Sequence, residues 1–255
     1  FERVLAQGRE RLMGIVLSLY DYTGEALKPW AEAGYDCYAF DIQHKDTKFD
    51  VDVANGGFIR YEGLDLYDGD NIRGLLSRFY SRNVVFGMAF PVCTDLAVSG
   101  AAWFKKKAEA NPWFQDEAVN HAMTCARFYE DLGVPYFIEN PVSVLATKWR
   151  KPDYSFHPYE YGGYIEDDAA EHPRWPEYIA PRDAYKKKTC LWTGNNFRMP
   201  TKVSVDPERY HGNGYSTAMM KLGGKSKRTK DIRSATPRGF AKAVQLFNQQ
   251  GGSHA

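Results

Sequence analysis

Short apolar segments alternate with helix-forming segments along most of the chain. Several apolar runs are short and rich in β-branched and aromatic side chains, as in the buried strands of a parallel sheet: 14–20, 35–40, 58–62, 84–90 and 134–138. Other segments carry helix-forming composition or apolar residues at helix spacing: 25–33, 68–80 and 101–133. This alternation predicts an α/β architecture with a mostly parallel central sheet flanked by helices. The polar segment 46–57 predicts a loop.

The apolar run that begins at Val84 delivers a cysteine to an open edge of this sheet. Pro91 ends the run, because a strand cannot readily continue through proline, so Cys93 is expected just beyond the strand's carboxyl end. Ligands of open α/β sheets bind at that edge. A thiol placed there is a candidate nucleophile, and the alternative is a buried free cysteine.

Carboxylates follow three other predicted strands. The turn Asp21–Gly24 leads from the first strand into a helix, an arrangement that favours a bound polar ligand. Asp41 ends the second strand about 20 residues later, where a carboxylate can accept hydrogen bonds from a ribose diol or can simply begin a turn. Asp65 and Glu139 follow later strands. We expect Glu139 at the same edge as Cys93 if their strands are neighbours.

Composition excludes several classes of protein. The chain has 255 residues, and its 33 basic and 32 acidic residues nearly cancel, so total charge indicates no partner. No apolar run approaches the ~20 residues of a membrane span and no signal peptide is visible, so we expect no membrane partner and a cytoplasmic location. The cysteines form no C-x-x-C pair, and we expect neither a metal site nor disulfides. The first residue is not Met and the chain ends Gly-Gly-Ser-His-Ala, which suggests trimmed ends.

Positive charge is concentrated near the end of the chain. Between positions 221 and 242, Asp231 is the one acidic residue among many lysines and arginines. Such a run is a candidate phosphate-binding surface, and the alternative is a solvated face. The residues that we expect to bind nucleic acid are Lys225, Lys227, Arg228, Lys230 and Arg233.

Taken together, these motifs resemble the DNA (cytosine-5)-methyltransferase family, most closely the short forms encoded by bacteriophages. Segment 18–24 looks like the family's cofactor loop, and Pro91-Val92-Cys93 resembles its Pro-Pro-Cys. Glu139-Asn140 is similar to its Glu-Asn motif. Segment 187–192 resembles its basic strand start, and segment 235–243 its C-terminal helix.

The resemblance implies a Rossmann-like, S-adenosylmethionine-dependent methyltransferase fold as a single domain over 1–255. It assigns catalytic roles to Cys93 as nucleophile, Glu139 as general acid, Asn140 as a brace for the loop, and Lys188 as a residue that orients the base or Glu139. It also implies that a set of residues at the strand ends binds S-adenosylmethionine: Tyr20, Asp21, Thr23, Gly24, Asp41, Ile42, Asp65, Leu66 and Pro91.

The sequence departs from the family pattern at several positions. Tyr22 and Glu25 replace glycines of the cofactor loop, and Val92 replaces the second proline. Lysines 187 and 188 stand where arginines are expected. The stretch between the basic strand and the C-terminal helix, where the family usually carries its target-recognition region, is short. Segments 150–185 and 200–232 are candidate small target-recognition insertions, and the alternative for 150–185 is a structured loop.

The implied activity is methyl transfer to carbon 5 of cytosine in DNA through a covalent bond between Cys93 and carbon 6. One alternative is the same chemistry on a cytosine nucleotide or with a larger transferred group. Another is a non-catalytic protein that keeps the cofactor fold and binds nucleic acid. If the chain is phage-encoded, its location would be the host cytoplasm. The sequence leaves the recognition site and the oligomeric state open, with a monomer as the working expectation.

Overall fold

The computed structural model describes residues 13–51, 56–210, 212–216, 222 and 226–249. Lys221 and Lys225 of the basic run lie outside the described residues. No helix among the described residues is long and apolar enough to cross a membrane.

A mixed eight-stranded sheet forms the centre of the described structure. Its strands, in chain order, are β1 Ile15–Leu19, β2 Asp36–Phe40, β3 Lys48–Val51, β4 Phe58–Glu62, β5 Val84–Ala89, β6 Tyr136–Pro141, β7 Tyr154–Phe156 and β8 Thr189–Gly194. Their spatial order is β3-β4-β2-β1-β5-β6-β8-β7. The run from β4 to β6 is parallel, whereas β3, β7 and β8 each pair antiparallel.

Helices cover both faces of this sheet. They are α1 Lys28–Glu32, α2 Gly69–Phe79, α3 Phe104–Ala110, α4 Phe114–Leu132, α5 Leu145–Lys148, α6 Lys227–Ser234 and α7 Arg238–Asn248. Apolar residues of α2 and α4 share one buried cluster with the sheet, and those of α1 and α7 share another. The predicted α/β fold with a mostly parallel, helix-flanked sheet is therefore confirmed.

Two local predictions need correction. The segment expected to be a loop contains β3, which pairs with β4 through a register that aligns Asp50 with Ile59. Phe49 supports that pairing, because its ring lies 6.0 Å from the Phe58 ring and beneath the Arg60 guanidinium. The strand β6 is longer than predicted and includes Glu139, since pairing with β8 continues as far as Pro141.

The buried Tyr129 of α4 links the two strands at the middle of the sheet. Its hydroxyl donates to the carbonyl oxygens of Leu17 in β1 and Met88 in β5. Its ring occupies the space where a Cβ at Gly87 would stand, 2.2 Å away, so that position requires glycine. Because the chain leaves β1 toward β2 on one side and returns to β5 on the other, the crevice between β1 and β5 is the switch point where open α/β sheets bind ligands.

Candidate active site

The turn after β5 presents the thiol of Cys93 to solvent. Pro91 ends the pairing, and Cys93 begins a short 3-10 turn, Cys93–Asp95. Lys107 of α3 holds this turn, because its ammonium donates to the Asp95 carboxylate (2.5 Å) and to the Thr94 carbonyl oxygen (2.9 Å). Cys93 is exposed, whereas the other three cysteines are buried. The thiol is therefore accessible on a turn whose backbone is fixed.

The end of β6 lies beside this turn. The buried side chain of Asn140 donates from Nδ2 to the carbonyl oxygen of Pro91 at 2.9 Å. Its Oδ1 atom is buried without a hydrogen-bond partner among the described residues. Asn140 thus ties β6 to the segment that precedes Cys93. The role of Asn140 as a brace for the catalytic loop stays a prediction.

A lysine of the segment before β8 faces Glu139, and it is Lys187. Glu139, Lys187 and Thr189 line one small cavity together with Phe90 and Phe240. Lys188 is exposed, and its charge acts on His157 and Cys190 instead. Neighbouring residues of an extended segment point to opposite faces, so the structure places Lys187 where the sequence analysis expected Lys188.

The protonation of Glu139 and of Cys93 depends on burial and on neighbouring charges. Burial raises the pKa of Glu139, and the Lys187 ammonium partly offsets this by lowering it. The pKa of the Cys93 thiol is raised by the desolvation that neighbouring protein atoms impose even though the side chain is exposed, and the Glu139 carboxylate raises it further. Lys187 lowers the Cys93 pKa. Lys187 therefore favours the charged form of both groups.

The turn after β1 is built around the buried carboxylate of Asp21. This carboxylate accepts hydrogen bonds from Ser18 Oγ (2.8 Å) and from the Gly24 amide (2.7 Å). Gly24 has a φ of +67°, and a Cβ there would lie 2.4 Å from the Tyr61 hydroxyl, so both the backbone and the packing require glycine. Asp21, predicted to bind cofactor, is thus engaged within its own turn, together with Thr23, whose hydroxyl lies 3.4 Å from it.

Two further carboxylates, Asp41 and Asp65, follow β2 and β4. Asp41 accepts from the Gln43 amide (2.8 Å) and Asp65 from the Tyr67 amide (2.9 Å), in each case through Oδ1. Among the described residues, the second oxygen of each has no hydrogen bond, which leaves an acceptor for a ligand. Ile42, which follows Asp41, is 63% exposed. Two hydrogen-bond acceptors and an exposed apolar side chain are groups that fit a ribose and a purine ring.

Tyr20 connects the turn after β1 with the turn after β4. Its backbone has a φ of 57°, a left-handed conformation that residues other than glycine seldom adopt. Its hydroxyl donates to the carbonyl oxygen of the buried Leu66, and its ring meets the Tyr67 ring edge-on at 5.9 Å. Two predicted cofactor residues, Tyr20 and Leu66, are therefore in contact.

A three-layer stack that sequence reasoning missed closes one side of this region. The Lys227 ammonium lies 3.5 Å from the centroid of the Tyr22 ring, and the His44 ring stacks on Tyr22 at 5.2 Å. His44 Nε2 lies 3.2 Å from the carbonyl oxygen of Asp21. The one signal of this contact in the sequence is the unexpected tyrosine at position 22.

Most of the described residues of the basic run contact the protein itself. Arg228 forms an ion pair with Glu177 at 2.8 Å, and Arg233 donates to the Leu222 carbonyl oxygen. Lys230 is exposed and has no partner among the described residues. The predicted set for nucleic-acid binding thus divides into internally engaged residues and one free ammonium, with Lys225 outside the described residues.

Segment 150–185 folds back onto the C-terminal helices. The buried carboxylate of Asp183 accepts hydrogen bonds from the amides of Arg238 (2.6 Å) and Gly239 (3.4 Å) and so caps α7. Arg174 of the same segment lies 3.4 Å from the carboxylate of Glu25 near the first turn. The segment therefore contacts both α7 and the proposed cofactor side. Its role in target recognition stays a prediction.

The chain has a distant structural likeness to a known protein. No family model matches the chain, and no curated protein matches it. Among solved structures, it is similar to an E. coli protein described as a "putative DNA modification methyltransferase encoded within prophage". The sequences are 14% identical, the match covers 71% of this chain and 46% of that one, and the TM-score is 0.40. A likeness this distant assigns no activity to the chain, and it spans less than half of the neighbour.

Proposed function

We propose that the protein methylates carbon 5 of cytosine in DNA, with S-adenosylmethionine as the methyl donor and Cys93 as the nucleophile. One observation carries the proposal. An exposed thiol stands at the carboxyl edge of a mostly parallel sheet, beside a carboxyl group of raised pKa and an ammonium group that acts on both. These three groups supply a nucleophile, an acid and a stabilising charge.

Carbon 5 of cytosine is a weak nucleophile, and the reaction has to increase its electron density. The Cys93 thiolate adds to carbon 6, which moves an electron pair of the ring toward carbon 5. Glu139 assists by donating its proton, or a hydrogen bond, to N3. Carbon 5 would then take the methyl group as the bond between that group and the donor's sulfonium sulfur breaks, with the electron pair left on the sulfur. A base would remove the carbon 5 proton, elimination of the Cys93 thiolate would restore the ring double bond, and the N3 proton would return to Glu139.

The protonation states of Cys93 and Glu139 determine the fraction of molecules in which the thiol can add to the base. Addition requires a thiolate at position 93 and a proton on Glu139, so the pair must hold one proton in total. The raised pKa of Glu139 extends the pH range in which it keeps that proton, whereas the raised pKa of Cys93 opposes thiolate formation. Lys187 offsets the second effect by stabilising the thiolate. We therefore assign this stabilising charge to Lys187, whereas the role predicted for Lys188, to orient the base or Glu139, stays a prediction.

The strand ends beyond β2 and β4 fit the cofactor. Asp41 would accept hydrogen bonds from the ribose hydroxyls, Asp65 would accept one from the adenine side, and Ile42 would contact the ring. S-adenosylmethionine supplies an electrophilic methyl group when it is bound. Asp21 and Gly24 would shape the turn, while the hydrogen bond from Asn140 to the Pro91 carbonyl fixes the segment that leads to Cys93.

The direct test is nucleoside mass spectrometry of DNA incubated with the purified protein and methyl-labelled S-adenosylmethionine. We expect labelled 5-methylcytosine with wild type and none with Cys93→Ala, although cofactor affinity should be retained. DNA that contains 5-fluorocytosine should trap a covalent adduct, since fluorine at carbon 5 cannot leave as a proton does. Turnover by Cys93→Ala equal to wild type would exclude the mechanism. Label in a cytosine nucleotide but not in DNA would move the proposal to the monomeric substrate.

A further inference from the structure

Exposed apolar side chains lie on both sides of Cys93 in the chain and directly after β6. We call this cluster the tryptophan surface, and it consists of Val92, Val98, Trp103, Trp113 and Val142. The two indoles are 60% and 68% exposed, and neither makes an aromatic or cation contact with the described residues. Large exposed apolar groups gathered at one place mark interaction sites more often than scattered ones do. The tryptophan surface is therefore a candidate binding site for another molecule.

The scaffold fixes these side chains next to the reactive turn. Trp103 immediately precedes α3 and Trp113 immediately precedes α4. The two helix starts are held together by Phe104 and Phe114, whose rings lie 5.8 Å apart. Helix α3 is in turn fastened to the Cys93–Asp95 turn by Lys107. Both indoles thus project from a framework that is tied to the proposed nucleophile.

Unpaired positive charge lies on the same helix. Lys105 and Lys106 of α3 are exposed, and neither has an ion pair among the described residues. Most neighbouring carboxylates are already engaged: Asp95 with Lys107, Asp116 with Lys148, and Glu117 with Asn111. Glu109, near the end of α3, is the exposed carboxylate that remains on this helix. The surface therefore offers ammonium groups beside indole rings.

We propose that the tryptophan surface binds an unpaired stretch of nucleic acid, with bases stacked on Trp103 and Trp113 and phosphates bound by Lys105 and Lys106. Stacking platforms combined with basic side chains are the means by which proteins bind single strands without reading sequence. A duplex buries the faces of its bases, so indoles of this kind favour a strand that is already open. The identity of the target cytosine rests on the proposed function, whereas strand binding does not.

Binding can be measured without cofactor by the fluorescence anisotropy of a labelled oligonucleotide, single-stranded or duplex, over a range of salt concentrations. We expect wild type to prefer the single strand. Stacking losses of the usual size predict roughly five- to hundredfold weaker binding for Trp103→Ala and for Trp113→Ala. Trp103→Phe should recover most of the affinity, because it keeps an aromatic face. Lys105→Ala with Lys106→Ala should flatten the salt dependence by about 1.4, at about 0.7 per phosphate.

Tyr80→Ala is the matched control, since Tyr80 is an exposed aromatic residue at the end of α2, away from Cys93. It should bind like wild type, and circular dichroism should show all variants folded. Equal affinity for single strand and duplex would overturn the inference. Wild-type affinity in Trp103→Phe and in both alanine variants would also overturn it, and would indicate that the surface binds another partner, such as a protein. Strand binding without methyl transfer would contradict the proposed function alone, and methyl transfer with unaffected tryptophan variants would contradict this inference alone.

Discussion

The Lys227 ammonium lies 3.5 Å from the centre of the Tyr22 ring, so the basic helix α6 contacts the turn that follows β1. The same ammonium lies 3.5 Å from Oε1 of Gln43, which follows the β2 carboxylate. Lys227 therefore contacts the turns after β1 and β2, two of the three turns that form the proposed cofactor region. This contact changes what a mutation in the basic run is expected to do.

We predict that Lys227→Ala and Lys230→Ala, on the same helix, have different effects. Loss of an exposed cation–π contact of about 0.5–1 kcal/mol should let Tyr22 move and weaken S-adenosylmethionine binding roughly two- to fivefold. Lys230 has no described partner, so its loss should leave cofactor affinity unchanged and flatten the salt dependence of DNA binding by about 0.7–0.9. Calorimetry with the cofactor and salt titration with DNA measure the two effects. Identical behaviour of the two variants would contradict the assignment.

The ends of strands β2 and β5 could be predicted from the sequence because nearby residues determine them. The apolar run before Pro91 and the run before Asp41 each specify a buried strand and its end without reference to other segments. The strand β3 was missed because its polar residues acquire strand character only by pairing with β4.

Contacts between distant segments could not be predicted from the sequence. The cap that Asp183 gives to α7 joins residues 55 positions apart, and the contact of Lys227 with Gln43 joins residues 184 positions apart. The choice between Lys187 and Lys188 depends on which face of one extended segment meets Glu139. A shift of one residue reverses that face, and only the pairing of β6 with β8 fixes it.

The same choice yields a prediction about pH dependence. Activity requires one proton on the pair, so the rate should fall at low pH where Cys93 and Glu139 are both protonated, and at high pH where both have lost their protons. Lys187 lowers the pKa of each group. Lys187→Met should therefore move both limbs of the kcat/KM profile to higher pH, while Lys188→Met should move neither. A profile shifted only by Lys188→Met would return the role to that residue.

Substitution of Asp21 should mainly affect the stability of the protein, whereas substitution of Asp41 should mainly affect cofactor binding. Asp41→Ala removes a ligand acceptor, and losing a charge-assisted hydrogen bond costs about 1.5–3 kcal/mol, so S-adenosylmethionine should bind roughly ten- to a hundredfold more weakly. Asp21→Ala leaves the Gly24 amide and the Ser18 hydroxyl without their acceptor, so its main effect should be a lower melting temperature. Calorimetry and thermal unfolding distinguish the two. Unchanged cofactor affinity in a folded Asp41→Ala protein would remove Asp41 from the site.

Alkylation of the native protein tests the environment of Cys93 directly. Because the other cysteines are buried, iodoacetamide should label Cys93 alone, and peptide mass spectrometry identifies the site. The thiolate is the reactive form, and the pKa of Cys93 is raised above its ordinary value of 9.0. The labelling rate should thus keep increasing with pH beyond 9.0. Lys187→Met should slow labelling at pH values below the pKa of Cys93, since it removes the charge that favours the thiolate. Lys188→Met should leave the labelling rate unchanged. Rapid labelling at neutral pH with a plateau below 9.0 would show that the free protein already holds a thiolate at this position, contrary to the raised pKa.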